Sequence, residues 1–171
     1  MKGILGVLTA GFCLFAAACA GTTPTGPTSP LSANGGIGAM EERGGSDLPF
    51  KGAYEGLETV GAVPSHHHLD ATGNGTHLGL FTVTADWTLG MGMGTGVSTW
   101  KAANGDEFST SFARRGVATP PTITFTETHT ITSGTGRFAN ASGTFTVVQT
   151  RGLVMPYNNS ATIDGSISLG R

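Results

Sequence analysis

From Ile123 to Thr132 the chain reads Ile-Thr-Phe-Thr-Glu-Thr-His-Thr-Ile-Thr, with threonine at every even position. Successive side chains of a β-strand point to opposite faces, so this segment builds one face of threonine and one of Ile123, Phe125, Glu127, His129 and Ile131. A helix would scatter the same residues around its axis, and β-branched threonine favours extended backbone. The period recurs along the chain. Phe81, Val83, Ala85, Trp87 and Leu89 share one parity; Phe108, Phe112 and Gly116 share another; Phe145 pairs with Val147; Ile163, Gly165, Ile167 and Leu169 alternate with Thr162, Asp164, Ser166 and Ser168. The pattern predicts strands near residues 49–61, 75–89, 94–102, 106–117, 122–132, 142–151 and 161–169. Asn104-Gly105 carries a hairpin signal and Pro120-Pro121 marks a second tight connection. Gly79, where the alternation shifts, is expected to mark a bulge.

Composition supports the same class. The 171 residues include 28 glycines and 26 threonines, both poor helix formers. Charged residues make up 12% of the chain, the net charge is −2, and the Lys and Arg residues are scattered, which argues against a nucleic-acid partner. The expected fold is all-β: a small closed antiparallel barrel of seven or eight strands, which leaves no exposed edge, with a β-sandwich as the alternative. The threonine- and serine-rich outward faces argue against a lipid-facing outer-membrane barrel.

The first residues give an address. Met1-Lys2 precedes an uncharged apolar run, Gly3 to Phe15, too short to span a bilayer but suited to a signal peptide. The run ends Ala16-Ala17-Ala18-Cys19 and resembles a bacterial lipobox. That resemblance implies a signal peptide over residues 1–18, removed by cleavage after Ala18, and acylation of Cys19, palmitate included, as the membrane partner. Ala20 rather than Asp follows Cys19, which under the same resemblance implies the outer membrane in a Gram-negative envelope. An ordinary secretory leader is the alternative. Residues 19–47, rich in Gly, Thr, Pro and Ser, are expected to form a flexible tether, and residues 48–171 the barrel domain. Cys13 and Cys19 are the two cysteines, so the domain offers no disulfide, thiolate or cysteine nucleophile.

Ser133-Gly134-Thr135-Gly136-Arg137-Phe138-Ala139-Asn140-Ala141-Ser142-Gly143 resembles the glycine-rich loop of the dirigent and allene oxide cyclase barrels. Gly75 to Val83 and Leu48 to Gly52 are similar to segments of bacterial exported proteins of that superfamily. The resemblance implies an eight-stranded barrel with an apolar cavity, often trimeric in plants, in a superfamily whose plant members cyclise an oxylipin epoxide or guide radical coupling. Their catalytic residues do not map onto this chain one by one. Physically, the glycines permit a tight turn, and Phe138 is placed to fold back as a plug over one barrel end.

Parity also places charge inside. If Phe125 and Ile131 face inward, so do Glu127 and His129; Arg114 shares the face of Phe108 and Phe112; Gln149 and Arg151 share that of Phe145 and Val147. Pairing across two hairpins then brings Arg114, Glu127, Gln149 and Arg151 together, with His129 one step further along. Two accounts stand. Glu127 between two arginines forms a buried salt-bridge network, or the cluster is a ligand site in which arginine holds a carboxylate and Glu127 or His129 moves a proton.

His66-His67-His68 is expected to be a solvated loop triplet, a weak metal candidate with only Asp70 and His77 near in sequence. Met91-Gly92-Met93 supplies too few soft ligands for copper and reads as a turn. No nucleophile elbow, phosphate loop or zinc-protease motif is present, and no cofactor is expected. The readings that remain are a tethered barrel binding a small lipophilic or carboxylate ligand, an envelope structural or interaction module with a filled barrel, and a cyclase or isomerase. Enzymatic activity is the less expected outcome, and a homo-oligomer is compatible with all three.

Overall fold

The threonine-alternating segment forms the strand Thr122–Gly134, with Phe125, Glu127, His129 and Ile131 buried and the intervening threonines exposed. In the computed structural model, which describes residues 47–170, it is β6 of eight strands. The others are β1 (Leu48–Val60), β2 (His66–Gly75), β3 (Gly79–Gly90), β4 (Met93–Ala102), β5 (Glu107–Thr119), β7 (Ser142–Gly152) and β8 (Tyr157–Ser168). Each pairs antiparallel with its neighbours in sequence. Pairing of β1 with β8, from Leu48↔Ile167 to Glu58↔Tyr157, closes the barrel. The sandwich alternative is set aside. The leader, Cys19 and most of the expected tether lie outside the described residues.

Two expectations are corrected. His66-His67-His68 is not a loop: it opens β2, the strand that the alternation missed. Its inward residues are His67, Leu69, Ala71 and Gly73, a series with too little apolar contrast to show a period. Gly79 is not a bulge but the first residue of β3, held at φ +65 after the turn from β2. The ladder irregularity lies instead between Ser109 and Thr110, where β5 pairs with β6.

The interior divides along its axis. At one end Phe50, Phe81, Trp100, Phe108, Phe145 and Ile167 are buried together. Phe138, on a single 3-10 turn of Gly136–Phe138, caps them and is fully buried. Its ring meets Phe108 edge-on at 5.2 Å between centroids, and Trp100 stacks on Phe108 at 6.0 Å. Gly136 makes this return possible: its φ is +53, and a Cβ there would lie 1.9 Å from Asp106 Oδ1. Burying each such aromatic contributes about 1.5–3 kcal/mol, so this half supplies much of the stability. The other half is polar.

Candidate functional site

Register sets the polar half. Arg114 on β5 lies directly opposite Glu127 on β6. Phe125 lies opposite Gln149, and Ile123 opposite Arg151, on β7. All five side chains singled out from sequence are therefore inside: Arg114, Glu127, His129, Gln149 and Arg151 are each buried. Arg114 Nη2 is 3.3 Å from Glu127 Oε1 and donates to Gln149 Oε1 at 2.7 Å. Gln149 Nε2 in turn donates to Asn159 Oδ1 on β8, and Asn159 Nδ2 donates to the Tyr157 carbonyl at 2.9 Å.

The expected placing of Glu127 between two arginines does not hold. Arg151 Nη1 donates instead to Glu58 Oε1 on β1, which His67 Nδ1 also meets at 2.8 Å. Glu58 was missed from sequence although its parity follows Phe50 and Tyr54 along β1; glycines at 52 and 56 hide that inward face. His67, Asn159 and Tyr54 likewise belong to the site. His67 stacks on Trp87 at 5.5 Å and 11° between ring planes. Phe125 lies against both guanidiniums: Arg114 Cζ is 3.7 Å from its ring centroid and Arg151 Cζ 5.6 Å. Arg114 also faces Trp87 at 4.5 Å, and Arg151 faces Tyr157 at 4.5 Å.

A second line of hydrogen bonds joins the two halves. Trp100 Nε1 donates to Ser98 Oγ at 2.8 Å; Ser98 Oγ meets Thr110 Oγ1 at 2.6 Å; Thr110 Oγ1 meets His129 Nδ1 at 2.9 Å; His129 Nε2 meets Glu127 Oε2 at 3.0 Å. An indole N–H only donates and a carboxylate only accepts, so Trp100 donates at one end of the line and Glu127 accepts from His129 Nε2 at the other.

Burial sets the remaining electrostatics. It pulls the Arg114 guanidinium below its ordinary value, and Glu127 and then Glu58 oppose that pull. It pushes the Tyr54 phenol well above its ordinary value, reinforced by Glu127, so Tyr54 stays neutral at physiological pH. Two arginines face two carboxylates: Arg114 stands against Glu127 and Arg151 against Glu58. Among the described residues four buried side-chain polar atoms have no partner: Glu58 Oε2, Trp87 Nε1, Arg114 Nε and Arg151 Nε. They come from β1, β3, β5 and β7.

The histidine triplet splits. His67 points inward; His66 is exposed; half-buried His68 bridges Asp86 at 2.7 Å and Asp70 at 3.3 Å on the outer wall. Among the described residues no group of three or more His, Cys, Asp or Glu side chains is arranged to hold a metal ion. Shallow hollows of about 540 and 530 Å³ lie on the outer wall, one across β7, β8, β1 and β2 around Ala53 and Thr150, the other across β2 to β4 around Leu80 and Lys101. Compared with models of known families, with curated proteins and with solved structures, the chain matches none.

Proposed function

We propose that this chain is an exported lipoprotein, held to the bacterial envelope through acylated Cys19, whose barrel binds a small lipophilic molecule by its polar head. The observation that carries the binding reading is the set of four unpartnered buried atoms on four alternate strands. A buried polar atom without a partner costs about 1–3 kcal/mol, and native proteins leave few of them. Three of these atoms donate and one accepts. Two carboxylates already stand against the two arginines, so a carboxylate head would bring a third negative charge into the chamber. A neutral oxygen-bearing head, such as a hydroxyl or an amide, can accept from donors of this kind or donate to Glu58 Oε2 without that cost. Leu89, Ile123 and Tyr157 are half-buried at the same end and would rim the apolar body.

The kinship proposed with the dirigent and allene oxide cyclase barrels is supported by the eight-strand closure and by the buried Phe138 plug. The cyclase reading gains no more than that. Glu127 and His129 are committed to the hydrogen-bonded line from Trp100, which favours a structural role for this pair over proton transfer to a substrate.

The test is native mass spectrometry of the full chain purified from its own membranes in mild detergent. The expected result is one stoichiometric small molecule per chain, together with a diacylglycerol-modified amino terminus. A chain carrying the lipid modification but no adduct, with water at the four atoms in an experimental structure, overturns the binding reading and leaves the structural module. An unmodified amino terminus overturns the anchor.

A further inference from the structure

Four hairpin turns meet at the barrel end opposite Phe138: residues 61–65, 91–92, 120–121 and 153–156. None of them contains Asp, Glu, Lys or Arg. They raise apolar side chains into solvent instead: Val63 is 52% exposed, Met91 99%, Val154 78% and Met155 73%. The plugged end has another character. Its turns carry Asp106 and Arg137, which face one another at 3.7 Å, and its largest apolar residue is folded inside.

Turn chemistry does not account for the apolar tips. Met91 and Gly92 sit at the centre of a two-residue hairpin with φ of +50 and +76. That backbone favours Asn-Gly, and a non-glycine residue at positive φ is strained. Methionine is disfavoured there by its backbone and again by its exposure. Leu153-Val154-Met155 sets three apolar residues in succession in water, where turns ordinarily carry polar ones. Strain and exposed apolar surface together point to a binding role for the side chains.

We propose that this crown docks on a lipid bilayer, with its tips inserted at the level of the headgroups and upper acyl chains. The tips stand on three of the four turns around a ring, the fourth being Pro120-Pro121, so they are offered to a plane rather than to a groove. They carry no charge with which to select a protein partner, and insertion by apolar area needs none. Residues outside the described part point to the same surface: the apolar run Gly3 to Phe15 and the Ala-Ala-Ala-Cys sequence ending at Cys19. This last support rests on the proposed export; the crown itself does not require acylation. Geometry permits both attachments at once. Residues 20–47 reach roughly 90 Å when fully extended, and tilted strands of this length make a barrel roughly 30 Å tall. That length exceeds the height of the barrel, so an anchor at Cys19 and contact of the crown with the same membrane are compatible, although Leu48 stands at the plugged end. The charged half of the lumen then lies next to the lipid, the source from which a lipophilic ligand would enter.

The test places one thiol at a time in the full chain, at Met91→Cys, Val154→Cys or Asn104→Cys, and labels it with an environment-sensitive fluorophore. The protein is reconstituted into vesicles of phosphatidylethanolamine and phosphatidylglycerol containing an acyl-chain spin-labelled quencher. Parallel samples carry Cys13→Ser and Cys19→Ser, so that the introduced thiol is the sole one. Expected are blue-shifted emission and about fivefold stronger quenching at 91 and 154 than at 104, which lies at the plugged end. With the label moved to Val63→Cys, the changes Val154→Asp and Met155→Asp bring quenching down to the level at 104 while far-ultraviolet circular dichroism is unchanged. Equal quenching at 91, 154 and 104 overturns the proposal. So does efficient 154-to-154 disulfide formation between copies without quenching, which would make a second copy the occupant. Intact mass of the same sample reports acylation of Cys19: acylation without quenching fails the docking alone, and quenching without acylation fails the anchor alone.

Discussion

Replacing Glu127 by Gln keeps the shape of the side chain and removes its charge. Arg114 would then remain with a side-chain exposure of 1%, stacked against Phe125 and Trp87, with no carboxylate at ion-pair distance and Glu58 as the carboxylate still acting on it. At 3.3 Å the attraction between unit charges is about 5 kcal/mol for an effective dielectric constant of 20. Breaking a buried pair by removing one member costs about 3–5 kcal/mol. The two estimates agree near 4 kcal/mol, a large part of the roughly 5–15 kcal/mol that holds a domain of this size, and correspond to a fall in Tm of roughly 15 °C. Urea unfolding followed by tryptophan fluorescence measures the loss. A double-mutant cycle then assigns it. Arg114→Met combined with Glu127→Gln should recover part of the loss, because the stranded charge is gone. Coupling between Arg151 and Glu58 should exceed 2 kcal/mol, whereas coupling between Arg151 and Glu127 should stay near zero. A loss below about 1 kcal/mol for Glu127→Gln, or a stronger coupling of Arg151 to Glu127 than to Glu58, would refute this account of the network.

Three further outcomes follow from other parts of the molecule. Phe138→Ala unplugs the aromatic end and should cost about 3–5 kcal/mol, with dye binding to the opened end; an unchanged urea midpoint would mean that the plug adds nothing. On the outer wall the hydrogen bond to Asp86, with Asp70, raises the value of His68 above its ordinary 6.5. That contribution is complete below pH 6.5 and is lost as pH rises through the raised value, so the urea midpoint should fall slightly over that interval. The fall should be absent in Asp86→Asn. Retention on immobilised nickel should drop for the exposed His66→Ala but not for the buried His67→Ala, whose cost is in stability through Glu58; equal losses of retention would place both rings outside.

Alternation carried most of the fold and half of the site. In β6 six threonines mark one face without a break, so the inward set was legible, and counting back across the Pro120-Pro121 turn brought Arg114 to Phe125 or Glu127, of which the ladder selects Glu127. β2 was not legible because its inward face, His67, Leu69, Ala71 and Gly73, holds a single large apolar residue, and the three consecutive histidines at its start show no alternation. The partner of Arg151 was not legible for a different reason. Glu58 and Arg151 are 93 residues apart and meet only because β8 pairs with β1. Local pairing rules bring Arg151 to Phe125 and Ile123, and from there the nearest carboxylate in sequence is Glu127. Closure of the ring supplies the other one.

That closure also explains how the two halves of the lumen differ in what they can do. The aromatic half is self-sufficient: Trp100 satisfies its single donor through Ser98, and the remaining rings have nothing to satisfy. The charged half is not. Replacing a buried ion pair by well-packed apolar residues is often neutral or stabilising, so a barrel selected for stability alone has no need of Arg114, Arg151, Glu58 and Glu127. It has still less need to leave Nε of both arginines, Nε1 of Trp87 and Oε2 of Glu58 without partners. The cost falls in the half of the lumen nearer the uncharged turns, where Met91, Val154 and Met155 stand in water. Stability accounts for neither the unpartnered atoms nor the apolar tips, whereas the proposed ligand, a lipophilic molecule with a neutral polar head taken from a membrane at that end, would account for both. Val154→Asp with Met155→Asp should therefore slow loading of such a molecule, while Trp87→Phe, which removes one donor from the chamber, should weaken its binding and leave membrane docking intact.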